Sequence, residues 1–189
     1  MKAVLDACVL YPTVLREVLL AVAGEGVFTP LWSPRIEREW VLAAMREGGD
    51  PEAEAAGLNA RFPAAMVDLS RAEEEAAEAA YDLPDPADRH VLAAARKAGA
   101  GVIVTLNLRD FPRTSLAALG LRAEHPDAFL MDLWLANSAA VETAVARVAA
   151  QAAEIAGAPK DLRALLKKAY LPRLGKALSR APQAVASKP

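Results

Sequence analysis

Short apolar runs alternate along the chain with segments of helical periodicity. Residues 3–5, 66–69 and 102–105 have the length and composition of strands buried on both faces, and residues 121–123 form a candidate edge strand. Strands that alternate with helical segments are typical of right-handed crossovers. The pattern therefore predicts an α/β fold, with a parallel sheet that is covered by helices on both faces.

The helical segments between these runs begin at capping residues or prolines and end at glycines. The predicted helices are one through residues 15–22 that stops at Gly24, one from Ser33 and Pro34 to near Gly48, one over residues 51–60, one from the capping box of Ser70 and Glu73, and one from Asp85 and Pro86 to Gly99. From Pro126 onward the pattern is helical throughout. The sequence thus predicts a domain over residues 1–125 and a helical extension over residues 126–189.

The charge is divided unevenly between these parts. The chain has 22 Lys and Arg residues against 24 Asp and Glu residues, which gives a net charge of −2. Residues 158–189 carry eight basic groups and one acid, a charge of +7, so the first 157 residues carry −9. An acidic body with a basic tail suggests a polyanionic partner, although a solvated helix face is an equally common reason for clustered lysines.

Cysteine usage and hydropathy indicate the compartment. The chain contains one cysteine, Cys8, which fits a reducing environment. No window reaches the roughly 20 uninterrupted apolar residues of a membrane span. We therefore expect a cytoplasmic protein that is not inserted in a membrane.

Acidic residues stand where a parallel sheet places its ligands, outside the carboxyl ends of the strands. Asp6 follows the first strand and Asp110 lies in the turn after residues 102–105. Asp88 falls in the first turn of a helix, and Glu39 borders the apolar side of another. Such carboxylates suit Mg²⁺ or Mn²⁺, but aspartates at these positions are also ordinary capping and turn residues. The residues alone leave both interpretations open.

Four stretches together resemble one family. They are residues 4–12 (VLDACVLYP), residues 33–40 with Glu39, residues 85–95 (DPADRHVLAAA) and residues 104–112 (VTLNLRDFP). In this order they are similar to the acidic motifs of PIN domains, over about residues 1–125. The resemblance is closest to VapC-type toxins with an extra helical C-terminal segment, which here would start near His125.

The resemblance implies a three-layer α/β/α fold with a short parallel sheet of four or five strands, and a Mg²⁺- or Mn²⁺-dependent endoribonuclease. Asp6, Glu39 and Asp88 match the three core acids of the family. The fourth position is either Asp110 or Asn107, and Asp85 and Thr105 are further candidates for supporting the site. The implied chemistry is attack of water on a phosphodiester, which needs no Ser–His or Cys–His pair.

Three further expectations concern RNA, partners and the departures from the family pattern. Affinity for RNA must come from cations outside an acidic cleft, and the candidates are Arg89, Arg109, Arg113 and the basic tail from about residue 158. The family implies a cognate antitoxin protein and a homodimer. Cys8 stands where the family commonly has Asn or a small hydroxyl residue, and we expect it to be a small buried filler. His90 follows Asp88 by two positions and is expected to point elsewhere.

Three rival functions remain open at this stage. One is an RNA-processing PIN nuclease that is not a toxin, and another is a non-catalytic PIN-like module that binds RNA or protein. A third is a phosphotransferase of the haloacid-dehalogenase type. That class needs a second aspartate two positions after the first, where this chain has Cys8.

Overall fold

A parallel sheet forms the centre of the protein. The structure, a computed structural model, describes residues 1–46 and 49–180. Within these residues the sheet has four strands, β1 (Lys2–Leu5), β2 (Thr29–Leu31), β3 (Val102–Val104) and β4 (Arg122–Glu124). They lie in the order β2-β1-β3-β4, and every pair is parallel. The predicted α/β class and parallel sheet are confirmed.

Helices flank the sheet and continue beyond it. Those of the described residues are α1 (Ala7–Leu10), α2 (Thr13–Gly24), α3 (Pro34–Ala44), α4 (Pro51–Arg61), α5 (Arg71–Ala80), α6 (Arg89–Ala98), α7 (Arg113–Ala117), α8 (Pro126–Ala136), α9 (Ser138–Ala156), α10 (Leu162–Lys168) and α11 (Pro172–Leu178). Two 3₁₀ turns, Pro86–Asp88 and Leu108–Asp110, lie before α6 and α7. The sequence patterns for α2, α4, α5 and α6 are confirmed.

The strand predicted over residues 66–69 is wrong. Only Met66 forms a bridge, to Trp32, where the Trp32 N–H donates to Ala65 and the Trp32 carbonyl accepts from Val67. The pairing ends there because Pro34 has no N–H and begins α3.

The sequence prediction also missed two elements and misplaced one helix end. Strand β2 was missed because it has three residues and contains Pro30, which disfavours a strand assignment. Helix α1 was missed because a single helical turn shows no periodicity. Helix α3 ends at Ala44, before the predicted end near Gly48, a residue outside the described part of the chain.

The core lies between the sheet and its helices. Val4, Leu5, Ile103 and Val104 are fully buried. Helix α6 packs on β1 and β3, while α2 packs on β2 and on α9. Strands buried on both faces explain the unbroken apolar runs of β1 and β3.

The backbone pairing of the sheet continues past the strands at their carboxyl ends. The Asp6 N–H donates to the Val104 carbonyl at 3.1 Å, and the Thr105 N–H donates to the Glu124 carbonyl at 3.0 Å. These bonds hold the residues that follow β1, β3 and β4 side by side at one edge of the sheet. We call this the carboxyl edge.

The C-terminal helices pack on the body through α8 and α9. Phe129 of α8 meets Phe28 edge to face, with ring centroids 5.0 Å apart. The buried carboxylate of Asp127 accepts hydrogen bonds from the N–H groups of Arg173 and Leu174, at 2.9 and 3.0 Å. It thereby caps the start of α11 and ties that helix to the start of α8. The last nine residues of the predicted basic tail, 181–189, lie outside the described residues.

In the ranges that the structure describes, no helix combines the length and apolar character that crossing a membrane requires.

Candidate active site

Asp6 occupies the centre of the carboxyl edge. It follows β1, and its residue is only 6% exposed. Its Oδ2 atom accepts a hydrogen bond from the Thr105 hydroxyl at 2.7 Å and one from the Cys8 thiol at 3.1 Å. Both donors fix the orientation of the carboxylate. Thr105, which is fully buried, therefore holds an acid in place, as the sequence suggested.

Cys8 links the segments that follow β1 and β3. Its sulfur donates to Asp6 and accepts from the Leu106 N–H at 3.2 Å. Burial, and then the negative charge of Asp6, raises the pKa of the thiol to about 12, so the sulfur keeps its proton. Cys8 is therefore more than the small filler expected from its sequence position, because it donates to the buried acid.

Asp88 shares its surroundings with three other aspartates. Burial raises the pKa of its carboxyl from the ordinary value of 3.8 to about 6. The charges of three neighbours add to this rise, in the order Asp6, Asp110 and Asp85. Since such an effect requires proximity, the carboxylates of these four residues lie near one another at the carboxyl edge. We call Asp6, Asp85, Asp88 and Asp110 the aspartate cluster.

The loop after β3 brings Asp110 to this cluster. The Asn107 N–H donates to the Thr105 hydroxyl at 3.0 Å, and the Asn107 carbonyl accepts from the Asp110 N–H at 3.1 Å. The loop thus turns through Leu108–Asp110 and returns the Asp110 carboxylate toward Asp88. Of the two alternatives for the fourth site residue, this geometry favours Asp110, while Asn107 is exposed and contributes its backbone.

Asp85 has a structural role as well. Its side chain accepts from the Ala87 N–H at 2.8 Å and so caps the 3₁₀ turn that contains Asp88. Its residue is exposed, and it is the weakest of the three charges acting on Asp88. The capping interpretation and the site interpretation of this residue are therefore compatible.

Glu39 reaches the site from α3 and contacts a different group. Its Oε1 atom lies 3.0 Å from His90 Nε2, although the two atoms are not aligned as a hydrogen bond, and 3.6 Å from Arg35 Nε. The charges that raise the pKa of Asp88 come from the aspartates. The structure thus places Glu39 beside His90, and His90 beside Asp88.

His90 was expected to pack or cap away from Asp88; it does pack, being 1% exposed, but it also contacts the candidate site residue Glu39. Its imidazole is fully buried, contacts Glu39 and acts electrostatically on Asp88. The expectation assumed regular helix spacing between positions 88 and 90. Asp88 instead ends a 3₁₀ turn, with backbone angles of −83° and −2°, and α6 begins only at Arg89. The tighter turn brings both side chains toward the same region.

Cations lie around the cluster. Arg109 and Arg113 are exposed at the two ends of the loop segment that carries Asp110. Arg89 is half-buried at the first position of α6, directly after Asp88. All three positions predicted for phosphate binding therefore lie within a few residues of the aspartate cluster.

The aspartate cluster fits a hard divalent cation. Within residues 1–46 and 49–180, no group of three or more His, Cys, Asp or Glu side chains is arranged to hold a metal ion. Mg²⁺ does not require three protein ligands, since it keeps several waters and binds through one or two carboxylates. The donors here are all oxygen atoms, which Mg²⁺ and Mn²⁺ prefer. The pKa of Asp88 is raised by burial and then by the neighbouring negative charges, and a bound cation would offset both effects.

Comparisons with known proteins identify the family of the chain. A 45-residue stretch is 56% identical to "Putative ribonuclease VapC50" of Mycobacterium tuberculosis (strain ATCC 25618 / H37Rv), which covers 24% of this chain and 27% of that protein. The chain thus matches about a quarter of the length of this curated relative. No solved structure shows significant similarity. The family model described as PIN domain matches residues 2–109, a stretch that contains β1–β3, Asp6, Glu39 and Asp88. The chain therefore belongs to the PIN domain family.

Proposed function

We propose that the protein is a divalent-metal-dependent endoribonuclease that hydrolyses RNA phosphodiester bonds at the aspartate cluster. One observation carries the proposal. Asp6, Asp88 and Asp110 come from separate elements, and burial, followed by the charges of Asp6 and Asp110, raises the pKa of Asp88 to about 6. A cluster of this kind costs stability unless a cation occupies it, which is typical of a functional site. Membership of the PIN domain family and the similarity to a VapC protein support the same conclusion.

The residues that would hold the cation are Asp6, Asp88 and Asp110, with Glu39 beside them. When bound, Mg²⁺ or Mn²⁺ supplies Lewis-acid polarisation of the phosphate and a lowered pKa for water. Thr105 and Cys8 fix the Asp6 carboxylate in one orientation. His90 positions Glu39 through their 3.0 Å contact. Arg109 and Arg113 bind the neighbouring phosphates of the RNA.

The proposed biological role is that of the toxin in a type II toxin–antitoxin pair. Its support is the similarity to VapC50. The partners would be the RNA substrate and a cognate antitoxin protein, and the protein would act as a homodimer. An RNA-processing enzyme without a toxin role would use the same residues, so growth arrest on expression distinguishes the two.

RNA cleavage by the purified protein tests the proposed function. We expect cleavage of a pool of single-stranded RNAs in Mg²⁺ or Mn²⁺ and none in EDTA, with 5′-phosphate ends on the products. Products are measured by gel electrophoresis and end-specific ligation. Cleavage that persists in EDTA would contradict the metal requirement. A protein that binds the RNA pool but leaves it intact in both metals would show a non-catalytic module.

The Cys8 thiol gives a second expected result. Cys8→Ala removes one donor to Asp6 and is expected to slow RNA cleavage about tenfold, the lower end of the effect of losing a ligand-orienting partner. Cys8→Ser is the matched control, because its hydroxyl is a stronger donor of similar size and restores most of the rate. Initial rates in Mg²⁺ and Tm values are measured for both variants. An alanine variant as fast as the serine variant would show that the thiol does not position Asp6.

A further inference from the structure

Seven cations lie on or next to helices α10 and α11, and none has an acidic partner among the described residues. They are Lys160, Arg163, Lys167, Lys168, Arg173, Lys176 and Arg180, and all are exposed. In the described part of the chain none of them forms an ion pair, and the one acid among them, Asp161, accepts from the Ala164 N–H as the cap of α10. We call these seven residues the C-terminal basic surface. This surface is exposed to solvent, and it concentrates seven positive charges on one part of the protein.

A rigid hairpin of helices presents this surface. Leu166, Leu171 and Leu174 are buried between α10, α11 and the body. Gly175 lies so close to Leu166 that a Cβ added there would be 3.1 Å from the Leu166 Cβ. In α11, Arg173 and Lys176 are separated by three positions and share one face, and Arg180 follows Lys176 by four positions, just after the helix. The backbone that carries these charges is therefore packed before any partner binds, which lowers the entropic cost of binding.

One residue of this surface, Arg173, is joined through Asp127 to the segment that follows β4 at the carboxyl edge. Asp6 bonds to Thr105, and the Thr105 N–H donates to Glu124 at the end of β4. Three residues later, Asp127 accepts the N–H of Arg173 at 2.9 Å. Two strand spacings separate β1 from β4, about 10 Å. Asp127 thus ties the start of α11, with Arg173, to the chain segment that follows β4.

An aromatic side chain lies between the two helices of the hairpin. Tyr170 follows the buried Leu166 by four positions, but it is itself 50% exposed. Its φ of 61° is in the left-handed region, where glycine or asparagine has a lower energy. A large exposed ring at a strained position among seven cations matches the stacking platforms of single-strand binders.

We propose that the C-terminal basic surface, with Tyr170, is a docking surface for single-stranded RNA next to the cleavage site. The inference rests on the proposed function, since it extends the path of the same substrate. An acidic cluster repels RNA, so the phosphates beyond the scissile one must be bound by cations outside it. The basic surface supplies these cations, and Tyr170 supplies a face on which a base of any sequence stacks. An acidic protein would use the charges but not the exposed ring.

The first test measures binding without cleavage. All variants carry Asp6→Asn, and a fluorescein-labelled single-stranded RNA of mixed sequence is the probe in anisotropy titrations at several salt concentrations. The test variant is Arg173→Gln, Lys176→Gln, Arg180→Gln. The control variant is Lys2→Gln, Arg96→Gln, Lys97→Gln, which removes the same charge at the opposite edge, where Lys2 donates to Ala98 and Arg96 to Leu119. Circular dichroism and Tm establish folding.

The two triple variants are expected to differ. The test variant binds RNA about tenfold more weakly than its parent and loses about 2 from the slope of log K against log salt, because three phosphate contacts are removed. The control variant keeps both values. Equal RNA affinity in the two triple variants would overturn the proposal. So would unchanged RNA binding accompanied by lost binding of poly-glutamate, which would indicate an acidic protein partner.

Tyr170→Gly separates docking from folding. Glycine relieves the left-handed backbone and is expected to raise Tm, whereas loss of the ring weakens RNA binding about tenfold. Tyr170→Phe is expected to keep the Tm and the RNA affinity of its parent, because it retains the aromatic ring. A glycine variant that binds RNA as tightly as the phenylalanine variant would remove Tyr170 from the docking surface. Failure of wild-type protein to cleave RNA, with these binding differences intact, would overturn the proposed ribonuclease while leaving the docking surface in place.

Discussion

Asp6→Asn is expected to reduce RNA cleavage about 1000-fold, because several kcal/mol of charge stabilisation at the reacting phosphate depends on this carboxylate. Asn has almost the same shape, and its carbonyl oxygen can still accept from Thr105 and Cys8, the two donors to Asp6 Oδ2. The fold should therefore persist while the negative charge is lost. Initial cleavage rates in Mg²⁺ and the Tm of each protein measure the two effects.

Asp132→Asn is the matched control for this substitution. Asp132 lies on α8, and its residue is exposed. The same chemical change there is expected to leave cleavage and Tm unaltered. Cleavage by Asp6→Asn within a few-fold of the control rate would place the reacting phosphate away from the carboxyl edge.

Asp88→Asn is expected to abolish cleavage and, in the metal-free protein, to increase stability. The folded protein holds the pKa of Asp88 at about 6, above its ordinary value of 3.8. At neutral pH the folded state therefore contains an ionised carboxylate that its surroundings disfavour. Asn removes this charge. With allowance for solvent screening of a half-buried group, the expected gain is about 1–2 kcal/mol in the free energy of unfolding.

The pH dependence of this gain follows from the direction of the shift. Below about pH 4, Asp88 is protonated in both states, so the variant and the wild type have similar stability. As the pH rises from about 4 to 6, the unfolded chain ionises while the folded protein keeps its proton, and the wild type loses stability. Above the folded pKa the difference stays constant.

Urea unfolding in EDTA measures this difference. We expect the stability gain of Asp88→Asn over wild type to be small at about pH 4 and to reach its full size by about pH 7.5. Addition of Mg²⁺ should stabilise wild type more than the variant, since binding to the folded state alone shifts the unfolding equilibrium. A variant that is less stable than wild type in EDTA at neutral pH would show that the aspartates do not repel each other.

The sequence predicted the parts of the fold that have strong local patterns. Strands β1 and β3 are continuous apolar runs because both of their faces are buried. Strand β2 has three residues and a proline, so only its pairing with β1 reveals it. Residues 66–69 have the composition of a strand, but the residue that pairs with Met66 is Trp32, and helix α3 begins two residues later, at Pro34. Pairing between distant segments is not encoded in a local pattern.

The sequence predicted the candidate site residues that follow strands, but not the contacts between them. Asp6 and Asp110 were predicted as site residues because each follows an apolar strand and lies in a motif that resembles the PIN family. In the structure, the charges of both residues act on Asp88. The contact of His90 with Glu39 was not predictable, because it depends on a 3₁₀ turn that ends at Asp88. The donation from Cys8 to Asp6 depends on the bond that joins β1 to the segment after β3. Both the His90–Glu39 contact and the Cys8–Asp6 hydrogen bond depend on tertiary contacts, which a local sequence pattern does not show.

Binding of Mn²⁺ tests most directly whether the aspartate cluster is a metal site. Free Mn²⁺ is measured by electron paramagnetic resonance while the ion is titrated into wild type, Asp6→Asn and Asp132→Asn. We expect saturable binding by wild type and by Asp132→Asn, and loss of that binding in Asp6→Asn. Equal Mn²⁺ binding by Asp6→Asn and wild type would contradict the assignment of the metal to the carboxyl edge.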